Sequence, residues 1–384
     1  MKIGFDISQT GRGKAGCGYL ADSIIQQLSI CDSNNHYLLY SAFGDRFWDP
    51  EHGENTRRIK KANFIHKLDE LSHQESLDLW TALPINEDRL GNPDIIHSNN
   101  FSCPHLTNAR VVYTLYDMSF LDYPEFTSEE NRWQCFNGVF DAAIQSDFVM
   151  AISEYSRIRF LQTFPHFPEE RTRTIYLGSR FEEAGEERPV QGLKPHEFWL
   201  SVCTLEPRKN LRRTLTAYRQ YVNNRPDPKP LVLTGEKGWL EDDIDEFITK
   251  LELNEYIHKT GYVDDYKLRW LYKNCWAFVY PSIYEGFGLP VLEAMSLGAA
   301  VITSNTTSLP EVGGDTVLYV DPMNEIGLLQ AFELLTDSKL RDQLKADSQR
   351  RSKIFSWSKT VKQLLQLYDD ILKLDKRLHL LSVK

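Results

Sequence analysis

Two pairs of charged residues in the second half of the sequence have side chains suited to chemistry on an anionic substrate. Arg208 and Lys209 are adjacent in "LEPRKNL", and Glu285 and Glu293 enclose the stretch "GFGLPVL". Arginine offers a fixed fork of donors and lysine a mobile point charge, a combination that suits a diphosphate. Carboxylates accept hydrogen bonds from hydroxyl groups. On spacing alone, two surface acids explain the glutamates equally well, and a pair of cations is more often a solvated turn.

A third feature is the glycine-rich stretch "TGRGKAGCG" near the start of the chain. Gly11, Gly13 and Gly16 have the G-x-G-x-x-G spacing of a dinucleotide-binding turn. That fingerprint also needs an acidic residue at the end of the second strand to hold the ribose. The nearest acid, Asp32, precedes the strand "HYLLY" instead. The stretch therefore predicts a turn that opens a helix and can face a phosphate, while an NAD-dependent dehydrogenase remains an alternative.

Both charged pairs follow segments with the composition of buried strands. "FWLSVCTL" precedes Arg208 and Lys209, and the helical pattern "NLRRTLTAYRQYV" follows them. "WAFVYPS" precedes Glu285, and Pro290 is typical of the first turn of a helix, which places Glu293 one turn further on. Open α/β sheets bind ligands at the carboxyl ends of their strands. We therefore expect these side chains at one edge of a parallel sheet, facing a cleft.

The whole chain alternates short apolar runs with amphipathic segments. At 384 residues it exceeds what one hydrophobic core usually serves. A charged stretch with proline and glycine, "FEEAGEERPVQGLKP", separates two β/α runs and predicts a linker. The expected fold class is α/β, with two parallel-sheet domains at residues 1–187 and 188–360 and a C-terminal helix at 361–384. The expected strands are "KIGFDIS", "HYLLYSA", "DIIHS", "VVYTLYD", "DFVMAIS", "RTIYLG", "FWLSVCTL", "PLVLTGE", "IHKTGYV", "WAFVYPS", "AAVITS" and "VLYVD".

Composition and charge exclude several classes of protein. The net charge of −10 argues against a general nucleic-acid binder, which normally has a basic excess. No apolar run approaches the roughly 18 residues of a membrane span, and the first residues lead into a strand without a signal-peptide pattern. Six cysteines without a C-x-x-C pair suggest neither a zinc ribbon nor a disulfide framework. We expect a cytoplasmic protein with reduced cysteines, and the sequence leaves its oligomeric state open.

Taken in order, these motifs and several others resemble the retaining glycosyltransferases of family 4. The stretches that carry the resemblance are "GCGY", "YTLYDMSFLDYPE", "AISEYS", "LEPRKN", "TGYVDD", "PSIYEGFGLPVLEAM" and "SLPEVGGDTVLYVDP". The E-x7-E block formed by Glu285 and Glu293 is its specific part. The resemblance implies a GT-B fold of two Rossmann-like domains, with the last helix crossing back onto the first. It also implies transfer of a hexose from a nucleotide sugar to a saccharide or lipid-linked saccharide acceptor.

The resemblance assigns roles to individual residues. Glu285, Lys209 and Arg208 are the expected catalytic residues, with Glu285 at the donor sugar and the two cations at the diphosphate. The backbone near Val263 is expected to meet the base. The full set of expected donor-binding residues is Gly16, Val263, Gly286, Phe287, Gly288, Leu289 and Glu293, of which Gly16 lies near the phosphates and Glu293 holds the ribose.

One position departs from the family pattern. Where the family commonly has His-Asp after the fourth strand, this chain has Tyr116 and Asp117. Tyr116 can hydrogen-bond a sugar hydroxyl but carries no positive charge at neutral pH. His97, at the end of "DIIHS", matches a frequent family histidine near the acceptor. We therefore expect Tyr116, Asp117 and His97 as sugar or acceptor contacts, with an interface-filling tyrosine and a core histidine as the alternatives.

The same residues predict transfer without a metal or other cofactor. No D-x-D pattern is visible between the domains, and the one dense carboxylate run, "EDDIDE" at 241–246, has the pattern of a solvated helix face. Arg208, Lys209 and helix N-termini would stabilise the departing diphosphate instead. The base that deprotonates the acceptor is then the donor phosphate, so no protein base is assigned.

A basic stretch in the first domain bears on the partners of the protein. "RRIKK" contributes Arg57, Arg58, Lys60 and Lys61. Such clusters are attracted to anionic lipid, so peripheral association with the inner face of the membrane is one interpretation and a solvated loop is the other. By analogy, we expect GDP-mannose as donor in bacterial surface-polysaccharide assembly. A sugar-nucleotide epimerase, a glycan phosphorylase and an interaction-only protein remain the alternatives.

Overall fold

The computed structural model describes residues 1–14, 16–44, 51–99, 101–105, 107–204, 206–236 and 243–377. The chain forms two compact units. Unit 1 consists of Met1–Leu121, Glu129–Leu177 and Trp357–Lys384, and unit 2 consists of Asp122–Ser128 and Gly178–Ser356. The chain therefore passes between the units at 121/122, 128/129, 177/178 and 356/357.

Unit 1 is built on a parallel sheet. Its strands are β1 (Lys2–Asp6), β2 (His36–Tyr40), β3 (Phe64–Lys67), β4 (Ile95–Ser98), β5 (Arg110–Leu115), β6 (Phe148–Ala151) and β7 (Thr172–Thr174). They lie in the order β3-β2-β1-β4-β5-β6-β7. The central strands β4 and β6 are buried along their whole length, which is typical of a parallel sheet covered by helices on both faces.

The helices of unit 1 connect consecutive strands, and one arrives from the end of the chain. They are α1 (Gly16–Cys31), α2 (His52–Asn55), α3 (His73–Thr81), α4 (Glu87–Leu90), α5 (Ser119–Asp122), α6 (Glu129–Gln145), α7 (Glu154–Thr163) and α15 (Trp357–Ile371). α15 packs against α1 and contributes buried apolar residues along one face. α15 therefore belongs to unit 1, although it follows unit 2 along the chain.

Unit 2 repeats the architecture with a second parallel sheet. Its strands are β8 (Trp199–Val202), β9 (Leu231–Thr234), β10 (Ile257–Gly261), β11 (Ala277–Tyr280), β12 (Val301–Ser304) and β13 (Leu318–Val320), in the order β10-β9-β8-β11-β12-β13. Its helices are α8 (Leu211–Asn223), α9 (Ile244–Lys250), α10 (Asp265–Asn274), α11 (Leu289–Ser296), α12 (Leu309–Gly313), α13 (Glu325–Leu334) and α14 (Ser338–Ser352). The order reverses direction at β8 and β11, and a ligand crevice is expected at such a switch point.

The two parallel sheets confirm the predicted α/β fold class, and each expected strand segment overlaps one strand. The short edge strand β3 was not expected, because it offers only four residues and leaves Ile65 exposed. The units change at Leu177 and Gly178, so the charged stretch that begins at Phe181 belongs to unit 2. All six cysteines are free. Within the described ranges, no helix is long and apolar enough to cross a bilayer.

Candidate active site

The turn after β8 carries the two predicted cations and lies beside the loop that follows β11. A single 3-10 turn at Pro207–Lys209 leads into α8. Asn210 then adopts a left-handed φ of 60°. Its side-chain amide is buried and donates to the carbonyls of Pro281 (3.0 Å) and Pro322 (2.6 Å). Because these carbonyls belong to two other loops of unit 2, Asn210 fixes the turn against its neighbours.

The loop between β11 and α11 positions Glu285. Its backbone N–H donates to Thr307 Oγ1 (3.2 Å), and its carbonyl accepts from Ser308 Oγ (2.8 Å). At the end of the loop, Gly288 has a φ of +102°, which glycine adopts without a steric penalty. A Cβ added to Gly288 would lie only 2.8 Å from Leu309 Cδ2. The loop is therefore held at both backbone groups of Glu285 and turns sharply into the helix.

Four side chains surround the Glu285 carboxylate. Lys209 Nζ lies 2.6 Å from Oε1, and Arg208 Nη1 lies 3.1 Å from Oε2. Ser282 and Tyr280 donate their hydroxyl hydrogens to Oε1 over 2.6 and 2.9 Å. The structure thus brings three of the predicted residues into one largely buried cluster at the carboxyl end of the unit 2 sheet.

This environment keeps Glu285 ionised. Burial by itself raises the pKa of the carboxyl group, but the charges of Lys209 and Arg208, with hydrogen bonds, outweigh burial and lower the pKa to about 2. Burial and the neighbouring carboxylate raise the pKa of Tyr280, which stays protonated. At neutral pH the cluster therefore presents a charged carboxylate, which can accept hydrogen bonds from hydroxyl groups or stabilise a positive charge.

Glu206 belongs to the same cluster and was missed by the sequence reasoning. Its Oε1 lies 2.7 Å from Arg208 Nε and 3.6 Å from Lys209 Nζ. Glu206 is only 2% exposed, and its Oε2 is buried without a hydrogen-bond partner among the described residues. The sequence contains a usable signal, because an acid directly before Pro207 in the strand-to-helix turn lies within reach of both cations.

Glu293 lies in α11 and forms a separate polar group. Arg180 donates to both of its oxygens, from Nε over 2.7 Å and from Nη2 over 3.2 Å. Tyr272 donates to Oε2 over 3.1 Å. Arg180 also pairs with Asp265 over 3.1 Å. Arg180 was missed because it stands just before the charged linker, far from Glu293 in sequence.

The remaining predicted donor residues of unit 2 lie on the loops after two strands. Gly286, Phe287 and Leu289 belong to the connection into α11, where the Phe287 ring meets Phe355 with centroids 5.9 Å apart. The first N–H groups of a helix favour an anion. Val263 lies between β10 and α10, and Asp264 caps the helix at this point. The strands β8, β10 and β11 therefore each contribute a loop to the same sheet edge.

The predicted sugar or acceptor contacts in unit 1 have partners inside that unit. Tyr116 donates its hydroxyl hydrogen to the Asn99 carbonyl (2.7 Å), and Asp117 accepts from the backbone and hydroxyl of Ser119. His97 is fully buried. Its Nδ1 lies 2.5 Å from the Tyr368 hydroxyl and its Nε2 lies 2.8 Å from the Thr114 hydroxyl, and burial lowers its pKa to about 3.

This geometry makes His97 a core histidine. Both ring nitrogens have hydrogen-bond partners within unit 1. Gly16 is the first residue of α1, and a Cβ added there would meet nothing within 4 Å. The close approach in this turn belongs to Gly18, where a Cβ would lie 2.2 Å from the Gln9 carbonyl oxygen.

Most of the other charged runs are paired within the protein. In the run at 241–246, Asp243 pairs with Arg212 and Asp245 with Lys259, while residues 241 and 242 lie outside the described ranges. The described residues contain no group of three or more metal-binding side chains.

The basic stretch at 57–61 is also mostly paired. Arg57 and Arg58 pair with Asp22 and Asp69, and Lys61 donates to the Ser29 carbonyl.

Comparisons with known proteins agree with this fold. Solved structures with the same fold include a sucrose-phosphate synthase from Thermosynechococcus elongatus (TM-score 0.74, 18% identity, 97% of this chain and 99% of that one). Anabaena HepE in complex with UDP-glucose also matches (TM-score 0.71, 18% identity, 96% of this chain and 100% of that one). These neighbours confirm the GT-B arrangement of two Rossmann-like sheets.

The sequence matches are more specific. Residues 184–351 match the family model described as glycosyl transferases group 1. The Escherichia coli O-antigen chain mannosyltransferase B is 34% identical over 283 residues, which cover 71% of this chain and 74% of that protein. The chain belongs to the group 1 glycosyltransferase family, and it is a glycosyltransferase enzyme.

Proposed function

We propose that this glycosyltransferase moves a mannosyl residue from GDP-mannose to a saccharide acceptor during assembly of a bacterial surface polysaccharide, with retention at the anomeric carbon. The observation that carries the proposal is the buried cluster of Lys209, Glu285 and Arg208 in a chain 34% identical to an O-antigen chain mannosyltransferase. Retention is what the resemblance to family 4 implies.

In this proposal the donor lies along the carboxyl edge of the unit 2 sheet. Arg208 and Lys209 bind the diphosphate, with further donors from the N-terminus of α11. Glu293 accepts hydrogen bonds from the ribose hydroxyls, and Arg180 orients its carboxylate. The loop at Val263 meets the base.

The chemistry needs two charges to be stabilised at once. As the bond between the anomeric carbon and the phosphate oxygen breaks, positive charge develops on the sugar ring and negative charge on the diphosphate. Lys209 and Arg208 are fixed cations for the leaving group. Glu285, ionised beside them, accepts from sugar hydroxyls and faces the positive ring. The departing phosphate takes the proton of the acceptor hydroxyl, and no metal is required.

The acceptor defines where the enzyme works. A lipid-linked saccharide would place the chain on the cytoplasmic face of the membrane, associated peripherally. Flotation of the purified protein with anionic vesicles, with and without charge-neutralising substitutions at Arg57, Arg58, Lys60 and Lys61, tests this part of the proposal. If those substitutions leave flotation unchanged, the basic stretch does not bind the membrane and this part of the proposal fails.

The central experiment is product analysis with purified protein, GDP-mannose and a synthetic mannoside acceptor. We expect GDP release that depends on the acceptor, together with an extended saccharide whose new anomeric bond is α by NMR. UDP-glucose in place of GDP-mannose should give little product. A C2-epimerised sugar would support an epimerase instead, and phosphate-dependent shortening of a glycan would support a phosphorylase.

A further inference from the structure

The four charged side chains around the predicted diphosphate site sum to zero. Glu206 and Glu285 supply two carboxylates, and Arg208 and Lys209 supply two cations, with side-chain exposures of 2%, 8%, 25% and 8% respectively. Charges this far from water interact strongly. A nucleoside diphosphate that enters the site therefore competes with two resident carboxylates for the same two cations.

The two carboxylates hold different parts of the cations. Glu206 Oε1 contacts Arg208 at Nε over 2.7 Å, whereas Glu285 contacts the same guanidinium at Nη1 over 3.1 Å. Lys209 lies 2.6 Å from Glu285 but 3.6 Å from Glu206. Nη1 and Nζ are thus the donors that can turn toward a phosphate, while Nε remains on Glu206.

Glu206 is also poorly satisfied for a buried acid. Its Oε2 has no hydrogen-bond partner among the described residues. A buried carboxylate oxygen without a partner costs stability, and a neutral amide of the same size could still accept the bond from Arg208 Nε. A role that depends on the charge of Glu206 accounts for the presence of an incompletely hydrogen-bonded carboxylate where a neutral amide could serve.

We infer that Glu206 is a positioning residue that anchors the Arg208 fork and whose negative charge limits how tightly the site retains the departing nucleoside diphosphate. The inference rests on the proposed function, in which Arg208 and Lys209 bind the diphosphate. It gives the cluster a role in product release as well as in bond cleavage, because without the charge of Glu206 the cluster would carry a net positive charge and hold the product longer.

The test is the affinity of the Glu206→Gln variant for GDP, measured by calorimetry. We expect the Kd to fall roughly tenfold because the competing charge is gone. Steady-state kcat should fall and KM for GDP-mannose should fall with it, and a burst of product should precede the slow release. If Glu206 only supported the fold, the Glu206→Gln variant would bind GDP more weakly than the wild type.

Glu333→Gln is a matched control in the same unit. Glu333 pairs with Arg225 through Oε2, and its Oε1 is likewise buried without a hydrogen-bond partner among the described residues. The pair lies away from the cluster, so GDP affinity should equal that of the wild type. GDP affinity that is unchanged or weaker in folded Glu206→Gln, with Glu333→Gln normal, overturns the inference.

A second variant covers a failure of Glu206→Gln to fold. Glu206→Asp keeps the charge but withdraws the carboxylate from Arg208, so the Kd for GDP should stay within about twofold while kcat falls. A tenfold tighter Kd in Glu206→Asp contradicts the role of the charge. Failure of the wild type to bind GDP, or normal binding by Lys209→Ala, would instead count against the proposed function itself.

Discussion

Lys209 Nζ lies 2.6 Å from Glu285 Oε1, so the cation expected at the leaving group and the acid expected at the sugar are in contact before any substrate arrives. Such a pair requires little reorganisation when charge develops in the transition state. The contact also means that each side chain affects the other. Lys209 lowers the pKa of Glu285 against the effect of burial, and Glu285 holds the ammonium group in place.

Substitutions of the two glutamates of the E-x7-E block should change different kinetic constants. Glu285→Gln keeps the shape of the side chain but removes the charge that faces the reacting sugar, so kcat should fall by about 100-fold or more while GDP still binds. Glu293→Gln removes an acceptor for the ribose, so KM for GDP-mannose should rise more than kcat falls. Initial rates and GDP calorimetry measure both. A Glu285→Gln variant with near-normal kcat would contradict the role given to this acid.

Lys209→Ala tests how the leaving diphosphate is neutralised. Loss of one fixed charge contact costs roughly 3 to 4 kcal/mol, so kcat should fall by about two to three orders of magnitude. Transfer by the wild type should persist in excess EDTA, because fixed cations replace a divalent ion. Activity that EDTA abolishes and magnesium or manganese restores, with Lys209→Ala nearly normal, would show that a metal does this work.

Substitutions of Gly16 and Gly18, at the start of α1, should have different effects, one on donor binding and the other on stability. A Cβ at Gly18 would lie 2.2 Å from the Gln9 carbonyl oxygen, so Gly18→Ala should cost about 1 to 3 kcal/mol of unfolding free energy. A Cβ at Gly16 meets nothing within 4 Å, so Gly16→Ala should leave stability unchanged but raise KM for the donor. Urea titrations and initial rates distinguish these outcomes. An unchanged KM in Gly16→Ala would remove this turn from the donor site.

His97 should make the protein sensitive to mild acid. Its pKa is about 3 in the folded protein against a usual value of 6.5, because burial favours the neutral ring. A lowered histidine pKa gives stability that is complete above pH 6.5 and is lost as pH falls toward 3. Between pH 6.5 and 4.5 the contribution should drop by about 2 to 3 kcal/mol.

The matching variant is His97→Gln, which cannot titrate. Its deficit in unfolding free energy relative to the wild type should shrink as pH falls over the same range. Asp6, which lies in the same unit and has a pKa raised by burial to about 6, is common to both proteins and cancels in the difference. A deficit that does not change with pH would mean that the His97 ring does not titrate as described.

The basic stretch at 57–61 should behave as structure rather than as a free charged surface. Arg57 donates from two nitrogens to the buried Asp22, so Arg57→Ala should cost about 1 to 3 kcal/mol of unfolding free energy. Lys60 is exposed, and Lys60→Ala should change stability by no more than about 0.5 kcal/mol. Equal stability of the two variants in urea would show that the ion pair with Asp22 contributes little.

The fold was predictable because its signals are local. Apolar runs that alternate with amphipathic helices mark a parallel sheet, and they located every strand except β3. That strand is an edge strand with one face exposed, so its four residues lack a continuous apolar run. The positions of Glu285 and Glu293 on a loop and a helix followed from the preference of proline for the first turn of a helix.

The contacts within the site were less predictable. Adjacent residues such as Arg208 and Lys209 are visible as a pair, but Arg180 reaches Glu293 across 113 positions of sequence. His97 shows the same limit, because its partner Tyr368 lies 271 positions away on the last helix. Hydrophobic periodicity predicts which helix or strand a residue belongs to. Contacts between residues far apart in sequence depend on the tertiary fold, which no local pattern encodes.

The order in which the chain visits its two units has a consequence for its biosynthesis. Unit 2 is complete once Ser356 has been made, but unit 1 still lacks α15 at that moment. During synthesis, the unit 1 sheet is therefore made long before α15, the helix that completes its packing. Until then the hydroxyl that caps His97 is missing and the face of α1 that α15 covers is open to water. A chain truncated after Ser356 should thus be protease-resistant in unit 2 while unit 1 remains sensitive to protease.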